Sequence, residues 1–300
     1  MTSLLSKSPI TPMAFVARTL AVAIGSGVAI IVVSEAVWTG LIAAYSRHPV
    51  TFPWFVPVMA VFLAVGVSWL KWGRWPKYGR AARRSGVRLN PVAPQVFLFS
   101  LLAGWTTFFS GAFAYVAYRM VSGLGGEVPM TIPPGPRSSI LWGLAMAAIV
   151  AGVVEEISVR GFMQGRLEKA FGVVPAIVVS GFIWALFHTN HSYFDAAPLD
   201  IAIWFAIFFT VSAILGTIAS LTDSVLPGMV IHAGFDGLYF VSAGILQPRI
   251  APLSFLETLA SPQTFVIVAA LLALLAIGSW RSLLRAVRTE RGADAKRTLS

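Results

Sequence analysis

Apolar runs of about 20 residues, separated by short polar connections, recur along the whole chain, and a run of that length is what a helix needs to cross a bilayer. Eight such segments are predicted, at about residues 14–45, 53–71, 94–120, 139–160, 173–189, 199–221, 225–246 and 263–280. The first is longer than a perpendicular crossing requires, so it is expected to tilt, or to bend near Gly25 and Gly27, with Glu35 close to an interface. The stretch leading into it carries few charges, and the apolar run exceeds the core of a signal peptide, which makes it a retained first helix. Residues 125–139, GGEVPMTIPPGPRSS, are rich in Pro and Gly and read as an outer loop, with Ser138 or Ser139 starting the next helix. No short-period repeat and no low-complexity tract interrupts the pattern. The expected fold class is all-α: a polytopic transmembrane helical bundle of about eight spanning helices.

Composition narrows this further. Of 300 residues 57% are hydrophobic and 11% charged, with a mean hydropathy of +0.80, against about 25% charged residues in an ordinary soluble domain. The polar stretches are too short to build a second, soluble core. Cysteine is absent, which excludes disulfides, thiolate nucleophiles and cysteine metal sites. The net charge of +10 is local in origin: residues 71–88 hold seven Lys or Arg, and six follow Trp280, including Arg281, Arg285, Arg288 and Arg291. Basic segments beside apolar helices mark the cytoplasmic face and meet anionic headgroups, a reading that outweighs nucleic acid as partner. Eight crossings place both termini and the 71–88 loop on that face, together with the loop carrying Arg160, Arg166 and Lys169. The loop with Asp195 and Asp200 then lies outside. The expectation is an integral protein of the plasma membrane with both termini cytoplasmic and the bilayer as partner.

Ionisable side chains inside spanning segments are costly and usually face the bundle interior or water. In the second half of the chain they are few: Glu155, Glu156 and Arg160; His188, with His191 one turn on; and His232 and Asp236. Glu156 and Arg160 are four apart, so on an α-helix they share a face, Glu being N-terminal as the favourable orientation requires. Glu155 is turned about 100° from Glu156 and lacks that partner. The bland reading of this string is a solvated helix end. His188 ends an otherwise uncharged helix, with Trp184 one turn earlier on the same face; alone it would pass for a structural hydrogen-bond donor. Asp236 follows His232 by one turn and can bond its imidazole, which alone would pass for a self-satisfied pair. Three such clusters on three helices are accommodated more cheaply by one shared polar cavity than by three separate exposures to lipid. A carboxylate, two imidazoles and an Asp in one cavity are the parts for activating water and stabilising an oxyanion.

Several hydrolase templates are missing. The chain has no His-Glu-x-x-His, no Gly-x-Gly-Asp and no Gly-x-Ser-x-Gly, and Ser158 lacks the setting of a serine nucleophile. The strings Glu155-Glu156-Ile157-Ser158-Val159-Arg160, Trp184-Ala185-Leu186-Phe187-His188 and His232-Ala233-Gly234-Phe235-Asp236 do resemble three motifs, in type, order and helix placement. They are those of the CAAX-protease and bacteriocin-processing (CPBP or Abi) family of intramembrane proteases, related to Rce1-type prenyl-protein endopeptidases. The resemblance covers about residues 139–246, the expected catalytic core, between N-terminal transmembrane helices with a basic loop (1–138) and a last helix with a basic tail (247–300). Trp184 departs from the family's usual Phe and should pack similarly. Asp236 stands where the family accepts Asn or Asp.

The resemblance implies peptide-bond hydrolysis by a glutamate-based mechanism. Glu155 would activate water and His188 would help to hold and deprotonate it. His232 and Asp236 would polarise the scissile carbonyl, while Glu156 and Arg160 brace the helix and tune Glu155. No cofactor is expected; zinc is the fallback, since one Glu and two His match some hydrolytic zinc sites. The implied partner is a peptide or protein substrate in the membrane, lipidated or not. A transporter, a non-catalytic scaffold and an enzyme acting on lipid headgroups stay open as alternatives. The Gly161 to Gly165 spacing fits a close helix contact, between chains or within one.

Overall fold

The computed structural model describes residues 12–74, 77, 80–123, 135–190, 198–246 and 252–299, and every regular element among them is helical. Among the described residues, seven helices are long and apolar enough to cross a membrane. They include α1 (Pro12–Arg47), α2 (Phe55–Trp72), α4 (Pro94–Ser122) and α5 (Arg137–Glu155), the last running on through a π-helical segment, Glu156–Gln164, into α6 (Gly165–Phe171). The others are α8 (Pro198–Thr222), α9 (Leu226–Leu246) and α11 (Pro262–Leu299). Two short helices, α3 (Arg80–Gly86) and α10 (Pro252–Glu257), lie in connections. The chain is an integral membrane protein with an all-α bundle. Most of the 125–139 loop, His191 and Asp195 lie outside the described residues.

The fifth apolar segment corrects the expected count. It forms α7 (Val173–Asn190), whose apolar part, Val173–Thr189, is shorter than the seven spans; it is about as long as α2, and what sets it apart is where it starts. The physical reason lies in the helix before it: Arg137–Phe171 runs for 35 residues, well past one bilayer thickness. The chain turns back at Gly172, where φ is 87°, and α7 climbs only to the level of Glu155, where His188 meets it. The helices still alternate in direction. Ala23 of α1 packs with Met163 and Leu167, and Leu283 and Val287 of α11 pack with Val96 of α4. Thus α1 begins and α11 ends at the same end of the bundle.

Lipid is as apolar as leucine, so helices in a bilayer associate by close packing, and small residues set where they meet. Gly152 brings α5 onto α9: a Cβ there would lie 2.7 Å from the Ala233 Cβ and 2.8 Å from the Ala233 nitrogen. The long α1, expected to tilt or to bend near Gly25 and Gly27, runs as one continuous helix from Pro12 to Arg47, and Gly27 lies against the π segment. Its role is contact, because a Cβ at Gly27 would stand 2.9 Å from the Ser158 carbonyl oxygen. The Gly161 to Gly165 pair is likewise used within the chain, Gly161 meeting the Gly86 carbonyl oxygen of α3 and Gly165 the Arg88 side chain.

Candidate active site

The first motif lies where α5 becomes π-helical. The Ser158 hydroxyl donates to the Val154 carbonyl oxygen at 2.5 Å, a local bond that competes for the acceptor of the i to i−4 ladder and favours a widened turn. Every residue from Glu156 to Gln164 is buried. Glu155, the last α-helical residue, faces the interior; Glu156 begins the π segment and points elsewhere.

Glu156 and Arg160 are both fully buried and approach to 3.0 Å between Oε1 and Nη1. This is an ionic contact off the line of a hydrogen bond. Arg160 Nη2 donates to the Ser212 hydroxyl at 2.9 Å, and the guanidinium stacks 5.0 Å from the centre of the Trp184 ring. The same Glu156 Oε1 lies 3.0 Å from His232 Nδ1. Glu156 therefore connects the first motif to the third, with Arg160 on one side and His232 on the other. The second carboxylate oxygen sits over Gly228, where a Cβ would come within 2.7 Å of it.

His232 has its other nitrogen, Nε2, 3.3 Å from Asp236 Oδ2. Both ring nitrogens thus face carboxylate oxygens, an arrangement filled by two N–H donors.

Trp184 does more than fill space. It is 4% exposed, its indole Nε1 donates to Glu155 Oε2 at 2.5 Å, and its carbonyl oxygen lies 2.9 Å from His188 Nδ1. A carbonyl only accepts, so His188 Nδ1 carries a hydrogen. In the neutral ring Nε2 is then an acceptor, and it stands 3.7 Å from Glu155 Oε2. The structure brings all four expected groups, Glu155, His188, His232 and Asp236, to the wall of one cavity of about 1550 Å³. That wall is otherwise mostly apolar and aromatic. Glu156 and Arg160 stand behind it.

A zinc ion would need nitrogens free to ligate. Both nitrogens of His232 are engaged by carboxylates, whereas His188 has Nδ1 on a carbonyl and Nε2 open, and among the described residues no three His, Asp or Glu converge as a ligand set.

Sequence reasoning did not place three features. Arg88, in the left-handed region at φ 44°, inserts at the far end of the π segment: Nη1 meets Glu168 Oε2 at 3.0 Å and the Arg160 carbonyl oxygen at 3.3 Å, and Nε reaches Asp223 at 3.2 Å. Gln164 donates to Glu168, to the Gly216 carbonyl and to Ser220. Glu35, the one acidic residue of α1 and expected only to lie close to an interface, lines the same cavity as Glu155. Its isolation in an apolar run was the available signal.

Among protein-family models, the type II CAAX prenyl endopeptidase Rce1-like family matches residues 137–238. Comparison with curated proteins and with solved structures gives no match. The matched stretch begins with α5 and ends two residues beyond Asp236, so it holds every one of the seven residues singled out in the three motifs. Within this integral membrane protein, residues 137–238 are thus similar to the type II CAAX prenyl endopeptidase Rce1-like family.

Proposed function

We propose that the chain is an intramembrane endopeptidase that hydrolyses a peptide bond of a membrane-embedded or lipidated substrate, with Glu155 as general base and no metal. The observation that carries this reading is the gap between Glu155 Oε2 and His188 Nε2, 3.7 Å wide and bordered by two acceptors. A water molecule donates one hydrogen to each and presents its lone pair to the cavity.

In the step itself Glu155 takes a proton from that water as its oxygen bonds to the scissile carbonyl carbon. The carbonyl oxygen becomes an oxyanion beside His232, whose Nε2–H is held by Asp236 through a contact longer than the one to Glu156, 3.3 Å against 3.0 Å. The incoming oxygen competes for that hydrogen. As the carbon–nitrogen bond breaks, the proton on Glu155 passes to the leaving amine, which restores the base. Glu156, fixed by Arg160, holds His232 from behind. The large apolar cavity suits a hydrophobic peptide or a lipid-bearing one.

The site lies 18 residues into the Arg137–Phe171 helix, about 27 Å from its start, towards the bundle end that carries the basic α2–α4 connection. With that end cytoplasmic, as the charge distribution favours, cleavage takes place near the inner leaflet of the plasma membrane.

The test compares released and membrane-bound peptides from cells carrying wild-type protein, Glu155→Gln or His188→Ala, by terminal-peptide mass spectrometry at matched protein levels. Fragments present with wild type and lost in both variants support the reading. Equal fragments in all three remove it and turn attention to transport or scaffolding. Purified active protein should contain well under one zinc per chain, and loss of activity together with one tightly bound zinc on chelation would reverse the metal-free assignment.

A further inference from the structure

Glu35 is an intramembrane carboxylate that the proposed mechanism does not use. It sits inside the α1 span, lines the cavity that holds Glu155, and lies within Coulombic reach of Glu155. Among the described residues it has no hydrogen-bond donor and no cation as partner. An ionisable side chain inside a spanning segment is costly, faces the bundle interior or a cavity, and marks a functional site by default.

Its height in the cavity follows from the packing of α1 on α5. Gly27 of α1 abuts the Ser158 carbonyl, and Tyr45 further along α1 packs on Phe55, which also meets Gly143 of α5. The two helices therefore run antiparallel. Glu35 is eight residues beyond Gly27 on α1, about 12 Å, and Glu155 three residues back from Ser158, about 4 Å in the same direction. The two carboxylates are separated by about 8 Å along the bundle axis, with Glu35 on the side away from the basic connection.

The surroundings of Glu35 limit what it can take. Trp38, three residues on and so on the same helix face, lines the cavity with it, as do Tyr45 and Phe55. A carboxylate beside aromatic faces is the chemistry of a cation: an ion pair with the charged end and cation–π contact along the way. Lys and Arg also carry apolar stems suited to a lipid-facing cavity. An extended peptide advances about 3.3 Å per residue, so 8 Å spans two to three residues.

Building on the protease reading above, we infer that Glu35 is a specificity-determining residue that binds a Lys or Arg side chain of the substrate two or three residues from the scissile bond. The peptide lies extended along the cavity, its carbonyl at Glu155 and His232 and its basic side chain against Glu35. This gives the cavity a polar anchor far from the reacting atoms, in register with them.

The experiment reads cleavage sites from terminal peptides in membranes of cells expressing wild type, Glu35→Gln, Glu35→Lys or Glu155→Gln at matched levels. With wild type, sites carrying Lys or Arg two or three residues away on one side are enriched over matched neutral sites. In Glu35→Gln that basic-to-neutral ratio falls about tenfold, and in Glu35→Lys the preference moves to Asp or Glu at the same position. An unchanged ratio in both Glu35 variants, or no basic preference with wild type, overturns the inference while leaving the protease reading standing. Fragments equally abundant in wild type and Glu155→Gln would remove the protease reading, and this inference with it. The internal ratio is independent of how much of each variant folds.

Discussion

At the scale of single residues, Trp184 shows how a departure from a family pattern acquires a physical meaning. Its ring packs against Arg160 and His188 as a Phe would, but its Nε1–H donates to Glu155 at 2.5 Å. Trp184→Phe keeps the aromatic packing and removes only that donor. A hydrogen bond to a charged group contributes about 1.5–3 kcal/mol, so kcat is expected to fall by about one to two orders of magnitude with KM little changed, read from fragment yield against substrate level. A wild-type rate in Trp184→Phe would show that Glu155 is held by packing alone. Glu156 is a different case. Glu156→Gln leaves Arg160 buried with no counterion and weakens the contact to His232, and breaking a buried pair on one side costs about 3–5 kcal/mol. Loss of folded protein, seen as a lower yield of monodisperse material in detergent, is the expected result. The three motifs were legible in the sequence because intramembrane charges are so few. That Glu156 serves His232 was not, since the two are far apart in sequence and no periodicity connects them.

At the scale of elements, apolar run length predicted the helices, and close backbone contacts decide how they pack. Gly161→Ala would drive a Cβ into the Gly86 carbonyl oxygen, a backbone atom that cannot move without displacing α3. Gly25→Ala is the control, since nothing stands within 4 Å of it and Ala is the better helix former by about 1 kcal/mol. Thermal unfolding in one detergent should show Gly161→Ala lowered by several degrees and Gly25→Ala unchanged or slightly raised; a tolerated Gly161→Ala would mean that α3 is not seated on the π segment. The α-helical geometry assumed for Glu156 to Gln164 was the element-level miss. Its apolar pattern is that of any buried helix, and the Ser158 hydroxyl on the Val154 carbonyl is a local bond that Ser100 and Thr107 also make inside the plain α-helix α4. The short α7 escaped for a similar reason: length in residues was right, while the starting height, fixed by the overlong helix before it, is a three-dimensional fact.

At the scale of the whole molecule, the incomplete crossing of α7 leaves the direction of every later helix as eight full crossings would set it. The sign of the charges at each end then has a definite consequence. The basic α2–α4 connection and the basic end of α11 share one end of the bundle, and by the positive-inside rule that end is expected to be cytoplasmic. The chain has no cysteine, so single cysteines can report sidedness without background. Arg84→Cys and Thr289→Cys, both at exposed positions, should react with a membrane-impermeant maleimide only after permeabilisation. Leu259→Cys, exposed in the turn between α10 and α11, should react in intact cells. The opposite pattern would invert the protein and put the Glu155 level near the outer leaflet, whereas Arg84→Cys and Thr289→Cys reacting from different sides would break the shared-end packing itself. If the expected pattern holds, the cavity runs from Ser139 and Tyr45 at the outer end down to Glu155 and Met163. A substrate anchored in the membrane then reaches the catalytic groups in the cytoplasmic half, with Glu35 about 8 Å above them on the path.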